Sequence, residues 1–289
     1  MAVDARLTER INLGKFGFLN VLPIYYPIES GVVASASRLV TGPPARLNKL
    51  MAEGRLDISP VSSIEAALHA ERYVLVPDLS ISSRGPVLSV LLMSRRPVHD
   101  LSGCSILVSA KSETSIALLE LLTRLRWHLR DVKTFKGCVT ASLNHGERPT
   151  AFLAIGDEAL TWSRQEEYPY RLDLGQAWFE WTGLPFVFGL WTVRRDSLAA
   201  KPRGIFQTVD ELMAAKTWGR GHMPIICREA ERLSGFDQEA LSDYYRHLCF
   251  DLGAAEQCGL RHFFRLLYQT NRLPSIPELE PLTRFAQVA

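Results

Sequence analysis

Short apolar runs alternate here with segments of helical period, and that alternation constrains the chain more than any other feature. Ile11 to Phe16 reads as a strand, followed by the turn-rich segment FGFLNVLPIYYPIESG and a second strand in SASRLVTG. Pro43 and Pro44 suit a helix start, where a missing N–H costs little, and Gly54 suits its stop. Between them Leu47, Leu50 and Met51 recur at helical spacing and give one apolar stripe. LDISPVS reads as a short buried strand, with Ser62 or Ser63 as the N-cap of the helix SIEAALHAE. A strand–helix–strand order of this kind predicts an α/β fold with a mainly parallel sheet covered by helices.

Two longer apolar stretches break the rhythm, at 86–95 and at 185–194. Between them runs a second series: CSILVSA as strand, TSIALLELLTRLRWHL as helix, AFLAIG as strand and DEALTWSRQ as helix. The two long strands are read as crossings, out and back, between two lobes. The expected division is residues 1–95 plus 185–289 for the first lobe, which includes the amphipathic C-terminal helices, and 96–184 for the second. No low-complexity tether separates them, which agrees with paired hinge strands. Ligands favour domain interfaces and the carboxyl ends of parallel strands, so a site between the lobes is expected.

Several chemistries lose support from composition and motif. Lys plus Arg less Asp plus Glu is 33 − 31 = +2, without the basic excess of a nucleic-acid binder. No stretch approaches the roughly 18 to 20 apolar residues of a membrane span. The opening MAVDARLTER lacks an apolar h-region and does not read as a secretory signal, so a cytoplasmic setting is expected. The five cysteines (Cys104, Cys138, Cys227, Cys249, Cys258) form no CxxC pair, and the seven histidines supply no HExxH. GxGxxG, the P-loop and the GxSxG elbow are all missing. Neither a metal nor a cofactor is expected.

What remains is a set of hydroxyl-rich helix starts. Ser62 and Ser63 open one helix in the first lobe; Ser112, Thr114 and Ser115 open another in the second. Helix N-termini offer free N–H groups and partial positive charge, so a carboxylate or phosphate is stabilised there. One such site per lobe suits a ligand with two separated carboxylates. Simple N-capping is the competing reading for each cluster. Asn20 follows the first strand, where its amide serves either a substrate oxygen or a turn of the chain. Ser89 lies within the apolar run GPVLSVLLMS, either filling a core position or donating into a cleft. Asp157, in AIGDEAL, is an N-cap, a substrate acceptor or a base. The dense aromatics around Trp178, Phe186 and Trp191 read as packing, with one of them free to close over a flat ring.

Taken together the segments FLNVLPIYYPIESG, PPARLNKLMAEGRLDISPVSSIEAAL, YVLVPDLSISSRGPVLSVLLMS, SETSIALL, LAIGDEAL and DLGQAWFEWTGLPFVFGLWTVRR are recognisable. The chain resembles the MqnA/MqnD family of menaquinone biosynthesis, and most closely its chorismate dehydratase branch, in the futalosine route. The resemblance implies a two-lobed fold like that of type II periplasmic binding proteins, turned to cytoplasmic use. It implies loss of water from chorismate to give 3-[(1-carboxyvinyl)oxy]benzoate, without metal or redox cofactor. Asn20 and Ser89 match family positions associated with the active site; Ser62, Ser63, Ser112, Thr114, Ser115 and Asp157 fall in motifs that line the cleft. Phe18 stands where a tyrosine is common and Arg84 where the family loop is small or acidic. The rival readings are the sister activity, release of 1,4-dihydroxy-6-naphthoate, and a non-catalytic binder of small carboxylates, since fold alone does not settle function.

Overall fold

A computed structural model describes residues 9–109, 112–163 and 166–283. The secretory-signal reading of residues 1–10 therefore falls mostly outside the described residues, as do Ala110 at the end of the strand CSILVSA and the last two residues of the helix DEALTWSRQ. The alternation read from the sequence is present. First come β1 (Asn12–Phe16), α1 (Leu22–Glu29), β2 (Arg38–Gly42), α2 (Pro44–Ala52), β3 (Ile58–Ser62), α3 (Ser63–Leu68) and β4 (Tyr73–Ser83). There follow β5 (Val90–Ser94), β6 (Ser105–Ser109), α4 (Glu113–Leu121), β7 (Lys133–Gly137), α5 (Val139–Asn144), β8 (Ala151–Ile155), α6 (Asp157–Trp162), β9 (Tyr170–Asp173) and α7 (Leu174–Thr182). The chain ends with β10 (Phe186–Arg194), α8 (Arg195–Ala200), α9 (Pro202–Gly221), α10 (Met223–Ser234), α11 (Gln238–His247) and α12 (Ala254–Gln269).

These elements form two units. One takes the described residues up to Ile81, Gly189–Tyr245 and those from Pro277 on; the other takes Ser82–Phe188 and Arg246–Ile276. The expected boundaries at 95/96 and 184/185 therefore move to 81/82 and 188/189, and the C-terminal helices divide between the units. The outward crossing is one strand earlier than 86–95: the chain leaves the first unit within β4. Residues 86–95 are instead a turn followed by β5, which pairs antiparallel with β8 and with β9 in the second sheet. The burial of β4 itself is interrupted at Pro77 and Asp78. They are its two exposed residues, and Asp78 takes a left-handed φ of 50° that only a local bend accommodates.

Each unit is built on a five-stranded sheet. The first has the order β2-β1-β3-β10-β4, with β1 parallel to β2 and β3 and with β10 antiparallel to β3. The second has the order β7-β6-β8-β5-β9, with β6 parallel to β7 and β8, while β5 runs antiparallel to both its neighbours. Both sheets are thus mixed: each has three adjacent strands paired in parallel, and in the second β9, antiparallel to β5, runs in the same direction as those three.

The segment read as turn-rich contains α1. Pro23 stands in its first turn, where no N–H is required. Pro27, inside the helix, has no N–H to give the Pro23 carbonyl. That carbonyl is packed by α9: a Cβ at Gly219 would lie 2.0 Å from the Pro23 oxygen, so only glycine fits. Tyr25 fixes the other side of α1, donating to the Gly14 carbonyl at 2.6 Å and accepting from Trp191 Nε1 at 3.0 Å. In the second unit Leu91, Met93, Leu107, Phe152 and Tyr168 form the core under β5, β6 and β8. Trp178, Phe186 and Trp191 are all buried, as packing residues should be.

Candidate active site

In the first unit β1 and β3 are neighbouring parallel strands, so both deliver their chain ends to one edge of the sheet. Asn20 occupies a single 3₁₀ turn, Leu19–Val21, just past β1. Its neighbours Leu19 and Val21 are buried and anchor the turn. The Tyr245 hydroxyl, from α11, donates to the Leu19 carbonyl at 3.0 Å. Asn20 Oδ1 is itself buried and has no hydrogen-bond partner among the described residues. A desolvated acceptor of this kind costs free energy unless something donates to it, about 1–3 kcal/mol. It suits a ligand hydroxyl.

At the end of β3 the two serines divide their work. Ser62 is the N-cap of α3, its Oγ accepting from the Glu65 N–H at 3.4 Å, and Ser63 is the first helical residue, fully buried. Capping occupies a hydroxyl lone pair but leaves its proton free to donate. Behind this edge, burial raises the Glu65 carboxyl against the opposing pull of His69, Arg72 and Asn48. Tyr73 is pushed up to about 12 by burial and by Glu65.

The second unit repeats the arrangement. β6 and β8 are adjacent and parallel, and the start of β5 lies beside the end of β8. Ser112 caps α4, its Oγ accepting from the Ser115 N–H at 3.2 Å and lying 3.1 Å from the Ser115 hydroxyl. Thr114 and Ser115 are buried in the first turn of that helix. Gly156, not Asp157, takes the N-cap place of α6, with φ 66° and ψ −140°, a conformation essentially restricted to glycine. Asp157 is instead the first helical residue and half-buried.

Ser89 is not in a strand interior. It closes the turn before β5, is 4% exposed, and its Oγ meets the Val87 carbonyl only at 3.4 Å. Its carbonyl accepts from the Gly156 N–H at 2.7 Å, which brings Ser89 alongside Asp157. The sheet thus gathers Ser89, Asp157 and the Ser112–Ser115 helix start at one edge of this unit, as it gathers Asn20, Ser62 and Ser63 at one edge of the other.

Two residues that sequence reasoning passed over hold these turns. Tyr245 is one; nothing near it in sequence points to Leu19. Asp173 is the other. Its Oδ2 accepts from the Val87 and Leu88 N–H groups at 2.9 and 2.7 Å, and its Oδ1 caps α7 by accepting from Gln176 N–H at 3.1 Å. Burial raises the Asp173 carboxyl, and these backbone donors oppose that rise. The pattern Asp173-x-x-Gln176 before an apolar run is a helix-start signal and was legible as such. Among the described residues no group of three or more His, Cys, Asp or Glu side chains is placed to hold a metal, and no helix is long and apolar enough to cross a membrane.

Known proteins share this architecture and sequence. A family model described as menaquinone biosynthesis matches residues 11–269. A chorismate dehydratase of Thermus thermophilus is 28% identical over 289 aligned positions, covering 93% of this chain and 98% of the relative. A 1,4-dihydroxy-6-naphtoate synthase from the same organism is 28% identical over 205 positions, covering 70% of this chain and 71% of the relative. The alkanesulfonate-binding protein SsuA of Xanthomonas axonopodis, solved with MOPS bound, has a TM-score of 0.68 at 16% identity, covering 93% of this chain and 95% of that one. That likeness places the fold among periplasmic-binding-protein-like structures.

Proposed function

Because the chain belongs to the menaquinone biosynthesis family, we propose that it is a chorismate dehydratase, a carbon–oxygen lyase of the hydro-lyase class working in the cytoplasm. One observation carries the reading. The likeness to a chorismate dehydratase runs through nearly the whole chain and nearly the whole relative, whereas the likeness to the naphtoate synthase stops well short of both.

The substrate's chemistry matches the residues gathered at the two sheet edges. Chorismate carries two carboxylates, and the helix starts at Ser62–Ser63 and Ser112–Ser115 supply uncharged donors of the kind that bind them. The ring proton at the ether-bearing carbon is conjugated through a double bond to the ring carboxylate. Its removal spreads negative charge onto that carboxylate, so donors there stabilise the developing anion more than the ground state. Expulsion of the neighbouring hydroxyl, which takes up a proton and leaves as water, then makes the ring aromatic. Asn20 and Ser89 are each assigned to orienting chorismate and polarising its leaving hydroxyl. The proton acceptor is either Asp157 or the substrate's own enolpyruvyl carboxylate, for which proximity replaces a protein base.

Incubating the purified protein with chorismate tests the reaction directly. A product lighter by one water, with the ultraviolet absorption of a benzoate, is expected; unchanged chorismate refutes it. Asn20→Ala and Ser89→Ala should each lower turnover by about 10²-fold, the order of magnitude lost with one preorganised hydrogen-bonding group. Wild-type rates in both remove them from the mechanism. Asp157→Asn identifies the base: a rate within a few-fold of wild type assigns the proton transfer to the substrate.

A further inference from the structure

The turn that carries Ser89 is held in an unfavourable shape by a residue outside it. Leu88 has φ 60°, the left-handed region that a branched side chain avoids. Its N–H and that of Val87 both point at Asp173 Oδ2. The other end is fixed as well, because the Ser89 carbonyl accepts from the Gly156 N–H. The two-residue segment Leu88–Ser89 is therefore held at both ends, at the Leu88 N–H and at the Ser89 carbonyl, and among the described residues the Ser89 Oγ makes only its long contact to the Val87 carbonyl.

Capping α7 does not account for this. One carboxylate oxygen suffices for the cap, and Oδ1 makes it. The second oxygen, Oδ2, accepts from both amides of the turn. Close packing seals the arrangement. Gly175 has no room for a Cβ, which would stand 2.7 Å from both the Gly85 carbonyl oxygen and Ser83 Oγ, and Ser83 Oγ in turn donates to that carbonyl at 2.9 Å. We infer that Asp173 is a positioning residue for Ser89, acting through the Val87 and Leu88 amides to set where the serine hydroxyl stands. This rests on Ser89 taking part in the dehydration proposed above.

A double-mutant cycle on the full chain separates positioning from general support of the fold. The steady-state kcat on chorismate is measured for wild type, Asp173→Asn, Ser89→Ala and Asn20→Ala, and for Asp173→Asn combined with each of the last two. Asp173→Asn should lower kcat by tenfold or more, within the ~10²-fold range of a 1 Å misplacement. In the Asn20→Ala background the same factor is expected; in the Ser89→Ala background it should shrink to about twofold or less. An equal factor in both backgrounds, or an unchanged kcat in Asp173→Asn alone, overturns the inference. If the asparagine variant is not recovered folded, Asp173→Glu carries the cycle, since it keeps the charge and displaces it by one methylene. Failure of both to fold makes Asp173 a folding residue and also overturns it. Absence of wild-type turnover is a separate result, which removes the proposed reaction and this role with it.

Discussion

The two units solve one problem with different chemistry. Each places a polar residue in a turn next to a strand of its sheet, after β1 in the first unit and before β5 in the second, and each holds that turn at the residue just before it. In the first unit the hold is neutral: the Tyr245 phenol donates to the Leu19 carbonyl. In the second it is a half-buried carboxylate, with Asp173 accepting from two successive amides of the turn and from the helix behind it. A neutral hydrogen bond is worth about 0.5–1.5 kcal/mol net, and one to a charged group about 1.5–3 kcal/mol. The stronger hold belongs to the turn that needs it. The first turn is a regular 3₁₀ element, whereas the second contains a leucine in left-handed backbone.

Four measurements test that contrast. Asp173→Ala should be the most damaging, about 3 kcal/mol by denaturant unfolding, because it strands the Val87, Leu88 and Gln176 N–H groups in a buried place. Gly175→Ala should come next, about 2 kcal/mol, since its methyl must displace the Gly85 carbonyl or the Ser83 hydroxyl. Tyr245→Phe should cost about 1 kcal/mol in the same assay, the price of one neutral bond. A loss in Tyr245→Phe as large as that in Asp173→Ala would erase the difference between the two units. The smallest effect is one of pH. Burial against Trp178, whose ring centroid is 5.6 Å away, lowers the His262 pKa, with Arg265 adding to it. The unfolded chain then takes up a proton more readily than the folded one, so stability should decline as pH falls through the ordinary histidine value. His262→Gln should flatten that part of the stability profile.

Much of the site was legible because its signals are local. Serines before apolar helices are caps in any context, so Ser62 and Ser112 could be located without coordinates. A glycine beside an acid at the end of an apolar run marked the start of α6, although reading Asp157 as the cap placed it one residue late. The turn before Ser89 was misread for the opposite reason. Val87 and Leu88 are apolar, and an apolar run cannot report that one of its members takes φ 60° to meet a carboxylate 85 residues away. The segment after β1 read as turn-rich, yet it holds α1 with two prolines inside its bounds. Pro23 is harmless in a first turn, and Pro27 is tolerated where Gly219 lets α9 approach the carbonyl it leaves unpaired.

The amino-acid order by itself determined the α/β rhythm, the helix starts and the presence of two sheets, because these depend on periodicity and on hydrogen bonds spanning a few residues. Tertiary structure decided where the chain leaves one unit for the other, which strands run against the parallel trio, and how Asn20 and Ser89 are held. Each of those depends on partners brought from far along the chain. Tyr245 and Leu19 are 226 residues apart, and no local preference in either residue encodes the bond between them.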